Sequence, residues 1–548
     1  MENYKLEIVV GHSWPEFGIG NKNKIPWYIK DDLLRFKEIT TSINNPNEIN
    51  IVIMGRKTYD SLPSNVKPLP NRINVIITNN DTLKKQTSIL DNIYYTSWEF
   101  LPNAIITIEK CIESLQDKNK INKICFIGGE KIYKLALETF KIDNLYATEV
   151  YLNNKKNMDN FDTFFPPYKS SITQTLNTDD KNTDDKNTDD KNTDDKNTDD
   201  KNTDNKNTDD KNTDDKKINK LDLIKVSPFM NSKGLYYRYF DYMSEDNIKD
   251  KLIIPYISPE YQYLEIMKNI IHTGIDRNDR TGTGTLSLFG STQRYDLSET
   301  FPMSTTKRIF VRAVFEELML YLSGKTDNKI LKDKNIHIWN GNTSREFLDK
   351  RGLQHYPEGD MGETYGFNFR HFGGQYQDCK TDYESTNGYD QLQNVINLLK
   401  NDPTSRRIII NLWNASTLHN AALPSCLMMY QFYVDVYAKK LSCIIYIRSS
   451  DYFLANNWNT CTGALLVHLL CNLKEIDLTP GEIIVNTGDT HIYKNHLEQV
   501  NINLERKPYP FCKLLIKNKK NKITDFNFED LQFIGYKCYP NISAPMAV

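Results

Sequence analysis

The chain has 548 residues, nine cysteines and a formal net charge of −2. That length exceeds what one core can fill and predicts two or three domains. No apolar run reaches the roughly 18 residues of a membrane span, and the apolar run in the opening MENYKLEIVV is too short for a signal peptide. The cysteines show neither CxxC nor metal-like Cys/His spacing, so a reduced, intracellular chain with no bound metal is expected.

In chain order, LEIVV, NIVIMG, INVIIT and KICFIGG are short, nearly all-apolar segments. Strands of that kind are buried on both faces, which predicts an α/β domain built on a doubly wound sheet. Between the first two lies IPWYIKDDLLRFKEIT, where Ile29, Leu33, Phe36 and Thr40 recur at helical spacing as a buried stripe. Asp31 falls opposite that stripe, beside Arg35 and Glu38, and should be solvated. Asp32 falls about 60° from Ile29, on the margin of the stripe. A carboxylate there is either paired structurally or used as an acid.

From Asn177 the unit NTDDK repeats eight times to Lys216, once as NTDNK. Seven units at −1 put −7 in the tract and leave +5 on the rest of the chain. Without an apolar residue the tract cannot bury a core, so an insertion at about 170–217 is expected to be disordered. It reads either as a repeat expanded in a tolerant surface loop or as an acidic interaction segment. Strand-like LIKVSPF and YYRYFDYM follow it, which puts the tract inside a first domain, 1–243. Polar SEDNIKDK reads as a short linker, 244–251. Residues 252–548 form a second domain, α+β in pattern, with helices such as RAVFEELMLYL and strands such as KLSCIIYIRS.

In ALPSCLMMYQF a single cysteine, Cys426, interrupts an apolar run, and alone it reads as a buried hydrophobe. The strand after it runs to about Val436, YAKK turns the chain, and KLSCIIYIRSSD returns antiparallel. Pairing of 436 with 441 would set position 426 near 451, in one neighbourhood with Arg448 and Asp451. A guanidinium near a thiol favours the reactive thiolate. In RAVFEELMLYL, Val314, Leu318 and Tyr321 form the buried stripe, Glu316 points away, and Glu317 sits on the margin like Asp32.

Four blocks, FGIGNKNKIPW, IVIMGRKTYDSLP, PLPNRINVIIT and CFIGGEKIY, resemble the dihydrofolate reductases in order and spacing over residues 5–243. The resemblance implies reduction of dihydrofolate with NADPH. Asp32 would hold the pterin amino group and N3 and assist protonation at N5. Thr148 would bond the same edge, Phe36 would pack the substrate's aromatic part, and Arg72 would fork onto the glutamate α-carboxylate. Gly128 and Gly129 would admit the cofactor close to backbone, and Gly55, Arg56, Lys57 and Thr58 would begin a phosphate-binding helix. Read without the resemblance, Arg56 and Lys57 are two solvated surface charges.

NDRTGTGTLSLFG, FPMSTTKR, HIWNGNTSREFL, DPTSRRIII, ALPSC, RSSDYFL, GDTHIYKNH and APMAV resemble the thymidylate synthases over residues 260–548. The order, reductase first, resembles the fused enzymes of protists and plants. By that resemblance Cys426 attacks C6 of dUMP, and C5 takes the one-carbon unit of 5,10-methylenetetrahydrofolate. Hydride from the same folate completes dTMP and releases dihydrofolate. Arg280, Arg448 and Ser449 would hold the phosphate, joined by Arg406 and Arg407 from the partner subunit of a homodimer formed through this domain. Asn459 would read uracil N3–H and O4, and His491 and Tyr493 the ribose. Glu317 would manage protons through water, Tyr365 would assist proton loss from C5, and Trp339 would shield the methylene. Asp451, grouped with the dUMP residues, would also bond the folate ring. Lys307 would meet the glutamate tail and Val548 would close over the site.

Several residues depart from the family pattern. Leu427 stands for a usual His, Ile447 for Gln and Phe369 for Trp. LANNWN replaces LGLPFN, so Ala455, Asn456, Asn457 and Trp458 are altered, and Thr462-Gly463 replaces Ser-Tyr. Two other readings compete with the bifunctional enzyme: a pyrimidine nucleotide hydroxymethylase fused to a reductase, or one domain kept as a non-catalytic dimerisation or RNA-binding module. Retention of Asn459 and Trp339 opposes the first, and retention of both acids and the nucleophile opposes the second. A cytoplasmic enzyme needing neither membrane nor nucleic acid is expected.

Overall fold

A computed structural model describes the chain except residues 2, 115–119, 153–160, 167–218, 252, 254, 280, 385–386 and 547–548. The NTDDK tract therefore lies outside the described residues. The contacts divide the chain into two compact units, Met1–Tyr256 and Ile257–Val548.

The strands of the first unit are β1 (Lys5–Trp14), β2 (Gly18–Gly20), β3 (Glu48–Gly55), β4 (Arg72–Ile77), β5 (Ile93–Thr96), β6 (Lys120–Gly128), β7 (Asn144–Tyr151), β8 (Thr163–Phe164), β9 (Leu221–Val226), β10 (Met230–Ser232) and β11 (Leu235–Ser244). Nine of them form one sheet in the order β10-β11-β7-β1-β6-β3-β4-β5, with β9 paired to β11. The strands from β7 to β5 run parallel, and β11 joins β7 antiparallel. The four apolar segments of the sequence are four of the interior strands, β1, β3, β4 and β6. Alternate residues feed two cores, as a doubly wound sheet requires. Leu6, Ile8, Ile51, Ile53 and Val75 pack with α4 (Leu101–Glu113) and α5 (Glu130–Thr139). Val9, Val52, Met54 and Ile76 pack on the other face with α1 (Lys30–Thr41) and α2 (Arg56–Ser61). (α3, Asp81–Lys84, is a single turn.)

The stripe expected along α1 is only partly buried. Ile29 is 2% and Thr40 0% exposed, but Leu33 is 47% exposed. Ile29 is the extended residue before the helix, so helical periodicity does not set its direction. The C-terminal end anchors α1: Asn50 donates to the Thr40 carbonyl at 2.9 Å, and Arg72 donates to the Thr40 hydroxyl. In the N-terminal half Leu33 and Leu34 are exposed, at 47% and 55%, while Asp32 and Arg35 turn to the sheet. The stretch read as a linker holds the last residue of β11 and a helix, Glu245–Lys251, in which Asn247 donates to Asp143 at 2.8 Å.

The second unit contains a six-stranded mixed sheet in the order β12-β13-β17-β16-β15-β14. Its strands are β12 (Ile275–Arg277), β13 (Thr285–Asp296), β14 (Ile409–Asn411), β15 (Leu427–Asp435), β16 (Lys440–Asp451) and β17 (Thr479–Tyr493). Only the β16–β17 pair is parallel. Helices Val311–Leu322 and Asn456–Cys471 share one large core with the inward side of this sheet. The second of these helices is buried almost all round, which marks it as central.

The β15–β16 hairpin turns one residue earlier than expected, with a loop of the same length. Asp435 pairs with Lys440, and the Asp435 carboxylate accepts from Tyr437 N–H and Ala438 N–H at 3.0 and 2.9 Å, closing the turn. A register shift between Leu427 and Met429 advances the strand again. Cys426 therefore lies opposite Arg448, whose N–H donates to its carbonyl at 2.9 Å, and not opposite Asp451.

Candidate active sites

In the first unit, Asp31 and Asp32 occupy the first turn of α1, where carboxylates suit the positive end of the helix dipole. The Thr148 hydroxyl, 1% exposed on β7, donates to Asp32 Oδ1 at 2.6 Å. A Cβ on Gly11 would stand 3.4 Å from Asp32 Oδ2 and 3.8 Å from the Trp27 ring, so bare backbone and an indole wall the other oxygen. Burial pushes the Asp32 carboxyl above its usual range, with the Thr148 hydroxyl and the Arg35 charge opposing. Arg35 is itself fixed: it pairs with Asp241, lies 4.3 Å over the Tyr239 ring, and reaches Thr148 Oγ1 at 3.5 Å. Asp31 is exposed, as expected, but it accepts from the Tyr237 phenol at 3.0 Å.

Phe36 is half-buried on the same helix, with the Arg72 guanidinium 6.0 Å from its ring. Arg72 is 2% exposed at the start of β4. It donates to the Pro70 carbonyl at 3.0 Å and to the Thr40 hydroxyl, and burial lowers its hold on the proton. Among the described residues no carboxylate pairs with it, so this buried cation can accept an anion from outside.

Gly55 ends β3 and precedes α2, on which Arg56 and Lys57 are exposed; Arg56 pairs with Asp60 at 2.9 Å. Gly128 and Gly129, between β6 and α5, are joined by a cis peptide, with Gly128 at φ +132°. A Cβ on Gly129 would lie 3.3 Å from Thr58 Oγ1. Two strand ends thus present bare backbone and two cations together, a surface that fits a phosphorylated dinucleotide.

In the second unit, Cys426 Sγ lies 3.7 Å from an Arg448 terminal nitrogen. That guanidinium is held by the Ser425 and Pro424 carbonyls at 3.0 and 2.9 Å and lies over Trp413. A fixed cation beside the sulfur favours its charged, nucleophilic form. The Cys426 N–H donates to the Tyr365 phenol at 2.8 Å. Tyr365 stacks on Tyr321 at 4.8 Å, and Trp339 meets Tyr365 edge-on at 6.1 Å. Glu317 completes this wall, 8% exposed. Its Oε1 accepts from Trp339 Nε1 at 2.7 Å and from the Tyr321 phenol at 2.8 Å, and its Oε2 from Trp458 Nε1 at 2.7 Å. Burial raises the Glu317 carboxyl, and the Trp458, Trp339 and Tyr321 donors oppose it. Glu316, expected to point away, is only 11% exposed at its side chain and pairs with Lys334.

Adjacent positions of β16 and β17 collect the next group. Ser449 pairs with Asp489 and Asp451 with His491. His491 lies 3.2 Å from Asp489 and 5.3 Å from the Tyr493 ring. Asp451 Oδ1 accepts from Phe453 N–H and Leu454 N–H at 3.1 Å, which holds the turn leading into helix Asn456–Cys471. Asn459 is half-buried in the first turns of that helix.

Arg406 and Arg407 are exposed just before β14 and pair with no carboxylate among the described residues. Lys307 is 6% exposed; its ammonium donates to the Phe453 carbonyl, and burial lowers it to about 8. Arg280 and Val548 lie outside the described residues. No group of three or more His, Cys, Asp or Glu among the described residues could hold a metal ion.

Tyr321 and Trp458 were missed as partners of Glu317. Tyr321 carried a signal, since a buried phenol needs an acceptor and Glu317 lies one turn away. Trp458 carried none, being 141 residues from its acceptor. The departures at 427, 447 and 369 prove mutually apolar. Leu427 and Ile447 are register partners, each 2% exposed, and Phe369 packs 5.7 Å from Tyr430.

The sequence model for dihydrofolate reductase matches residues 6–195, and that for thymidylate synthase matches residues 261–548. Bifunctional dihydrofolate reductase-thymidylate synthase of Paramecium tetraurelia is 37% identical over 535 residues, covering 97% of this chain and 96% of the relative. The Zea mays protein of the same description is 35% identical, covering 100% and 97%, and that of Plasmodium chabaudi 34%, covering 97% and 94%. With both halves matched in order and relatives aligned end to end, the chain belongs to the bifunctional dihydrofolate reductase-thymidylate synthase family.

Proposed function

We propose that Asp32 is the acid of the reductase and Cys426 the nucleophile of the synthase. The chain converts dUMP and 5,10-methylenetetrahydrofolate to dTMP and dihydrofolate, and reduces dihydrofolate with NADPH. The observation that supports the synthase assignment is the continuous wall from Cys426 through Tyr365 and Tyr321 to Glu317, with Arg448 fixed against the sulfur; Asp32 rests on its bond from the buried Thr148 hydroxyl.

In the reductase, bound NADPH supplies the hydride. Gly55, Arg56, Lys57, Thr58, Gly128 and Gly129 would hold it, Arg56 and Lys57 favouring its extra phosphate. Asp32 and Thr148 bind the pterin edge, Phe36 packs against the ring system, and Arg72 takes the α-carboxylate. A carboxyl whose hold on its proton is strengthened by burial assists protonation at N5.

In the synthase, the Cys426 thiolate adds to C6 of dUMP, which makes C5 nucleophilic. The folate supplies the one-carbon unit and the final hydride. Arg280, Arg448 and Ser449 hold the phosphate, and Arg406 and Arg407 reach it from the partner subunit of a homodimer; their exposure on this chain supports that assignment. Asn459 reads the uracil edge, and His491 and Tyr493 hold the ribose. Glu317 handles protons at O4, and Tyr365 assists proton loss from C5. Trp339 and Asp451 face the folate, Lys307 meets its glutamate tail, and Val548 closes over the site. No helix among the described residues is long and apolar enough to cross a membrane, and a cytoplasmic location fits that.

The test is product identity with dUMP, methylenetetrahydrofolate and NADPH. We expect dTMP, with one NADPH oxidised per dTMP formed. Release of 5-hydroxymethyl-dUMP as the main product would reject the reading in favour of a hydroxymethylase.

A further inference from the structure

Glu317 receives hydrogen bonds on both oxygens and is paired with no cation among the described residues. Trp339 and Tyr321 share Oε1, while Trp458 alone holds Oε2. Position 458 is one of the departures: the family's usual Phe has no donor to offer. The loop before it is fixed, because Asp451 accepts from Phe453 N–H and Leu454 N–H and its carbonyl accepts from Ala455 N–H at 2.8 Å. Asn456 and Asn457 are buried at 0% and 7% exposure, so the helix start that carries Trp458 is seated in the core. The neighbouring wall has lost polar groups, with Leu427 and Ile447 packed as an apolar pair.

We propose that Trp458 is a positioning residue for the synthase reaction: its indole N–H locks the Glu317 carboxylate from the side opposite Trp339 and stabilises the charged form. The consequence for turnover rests on the proposed role of Glu317; the positioning itself does not. Removing one N–H donor leaves Oε2 without its protein partner in a desolvated site, so the neutral acid gains. The titratable groups facing Glu317 are the phenols of Tyr321, Tyr365 and Tyr430, with Cys426 beyond Tyr365. Burial raises all three phenols, so none supplies a competing charge near neutral pH.

The test titrates the carboxyl directly. Infrared difference spectra of the full chain with isotopically labelled glutamate follow the protonated carboxyl band, which Glu317→Gln identifies by its loss. Loss of one charge-assisted bond in Trp458→Phe should move the midpoint up by about one pH unit. The synthase pH profile should shift in the same direction. Should the phenylalanine variant fail to fold, benzothienylalanine placed at 458 keeps the ring shape and lacks the N–H, and the same shift is expected. An unmoved midpoint in the folded variant overturns the proposal. Full dTMP formation by Glu317→Gln would instead remove the catalytic role of Glu317, a separate failure that leaves the titration result standing.

Discussion

Replacing Thr148 by valine removes the hydroxyl that donates to Asp32 at 2.6 Å while nearly conserving volume. A hydrogen bond to a charged group is worth about 1.5–3 kcal/mol, and one pH unit corresponds to about 1.4 kcal/mol. The midpoint for Asp32 should therefore rise by about one to two pH units, less whatever Arg35 recovers by closing on the carboxylate. The assay is the pH dependence of kcat/KM for dihydrofolate at saturating NADPH. We expect the limb that reports Asp32 to move to higher pH and the plateau to fall, because the pterin edge loses one anchor. The stability consequence has a definite sign. Burial already raises Asp32 in the folded state, so its contribution is full below the unfolded carboxyl range and is lost as pH rises through the folded midpoint. The valine variant should accordingly lose stability mainly at neutral and alkaline pH, and match the parent in acid once Asp32 is neutral. An unmoved or lowered midpoint would refute the account of Asp32.

Three further outcomes are expected in the synthase unit. Leu427→His and Ile447→Gln each place a polar group in the apolar core and should each cost about 2–3 kcal/mol in urea unfolding. Because 427 and 447 are register partners, the double variant should recover about 1 kcal/mol of the summed loss, and strict additivity would contradict the pairing. Arg448→Lys forfeits the fork held by the Ser425 and Pro424 carbonyls and should slow alkylation of Cys426 by iodoacetamide; an unchanged rate would deny the guanidinium its role. Tyr365→Phe removes the phenol that accepts from the Cys426 N–H and should cost about 1 kcal/mol of synthase stability, while dihydrofolate reduction stays at the parent rate.

The interior of the first sheet was legible because parallel strands buried on both faces need continuous apolar runs, and LEIVV, NIVIMG and KICFIGG are such runs. Glu317 was legible for a related reason: helical periodicity flags a carboxylate that turns toward the core, whereas Asp32 was placed by its angle to Ile29, which lies outside the helix. Periodicity failed where it ceased to apply. Ile29 precedes the helix, and Leu33 is exposed although it falls on the expected stripe. The hairpin register depended on the Asp435 turn and a shift near Met429, neither visible as an apolar pattern. Long-range polar pairs such as Asp31 with Tyr237 and Glu317 with Trp458 are products of the fold, and no local rule anticipates them.

The most direct test of two independent sites on one chain pairs two substitutions. Cys426→Ala should abolish dTMP formation and leave reduction of added dihydrofolate at the parent rate. Asp32→Asn should abolish that reduction and leave dTMP formation intact, with dihydrofolate accumulating. Loss of both activities in either folded variant, or retention of dTMP formation by Cys426→Ala, would contradict the account.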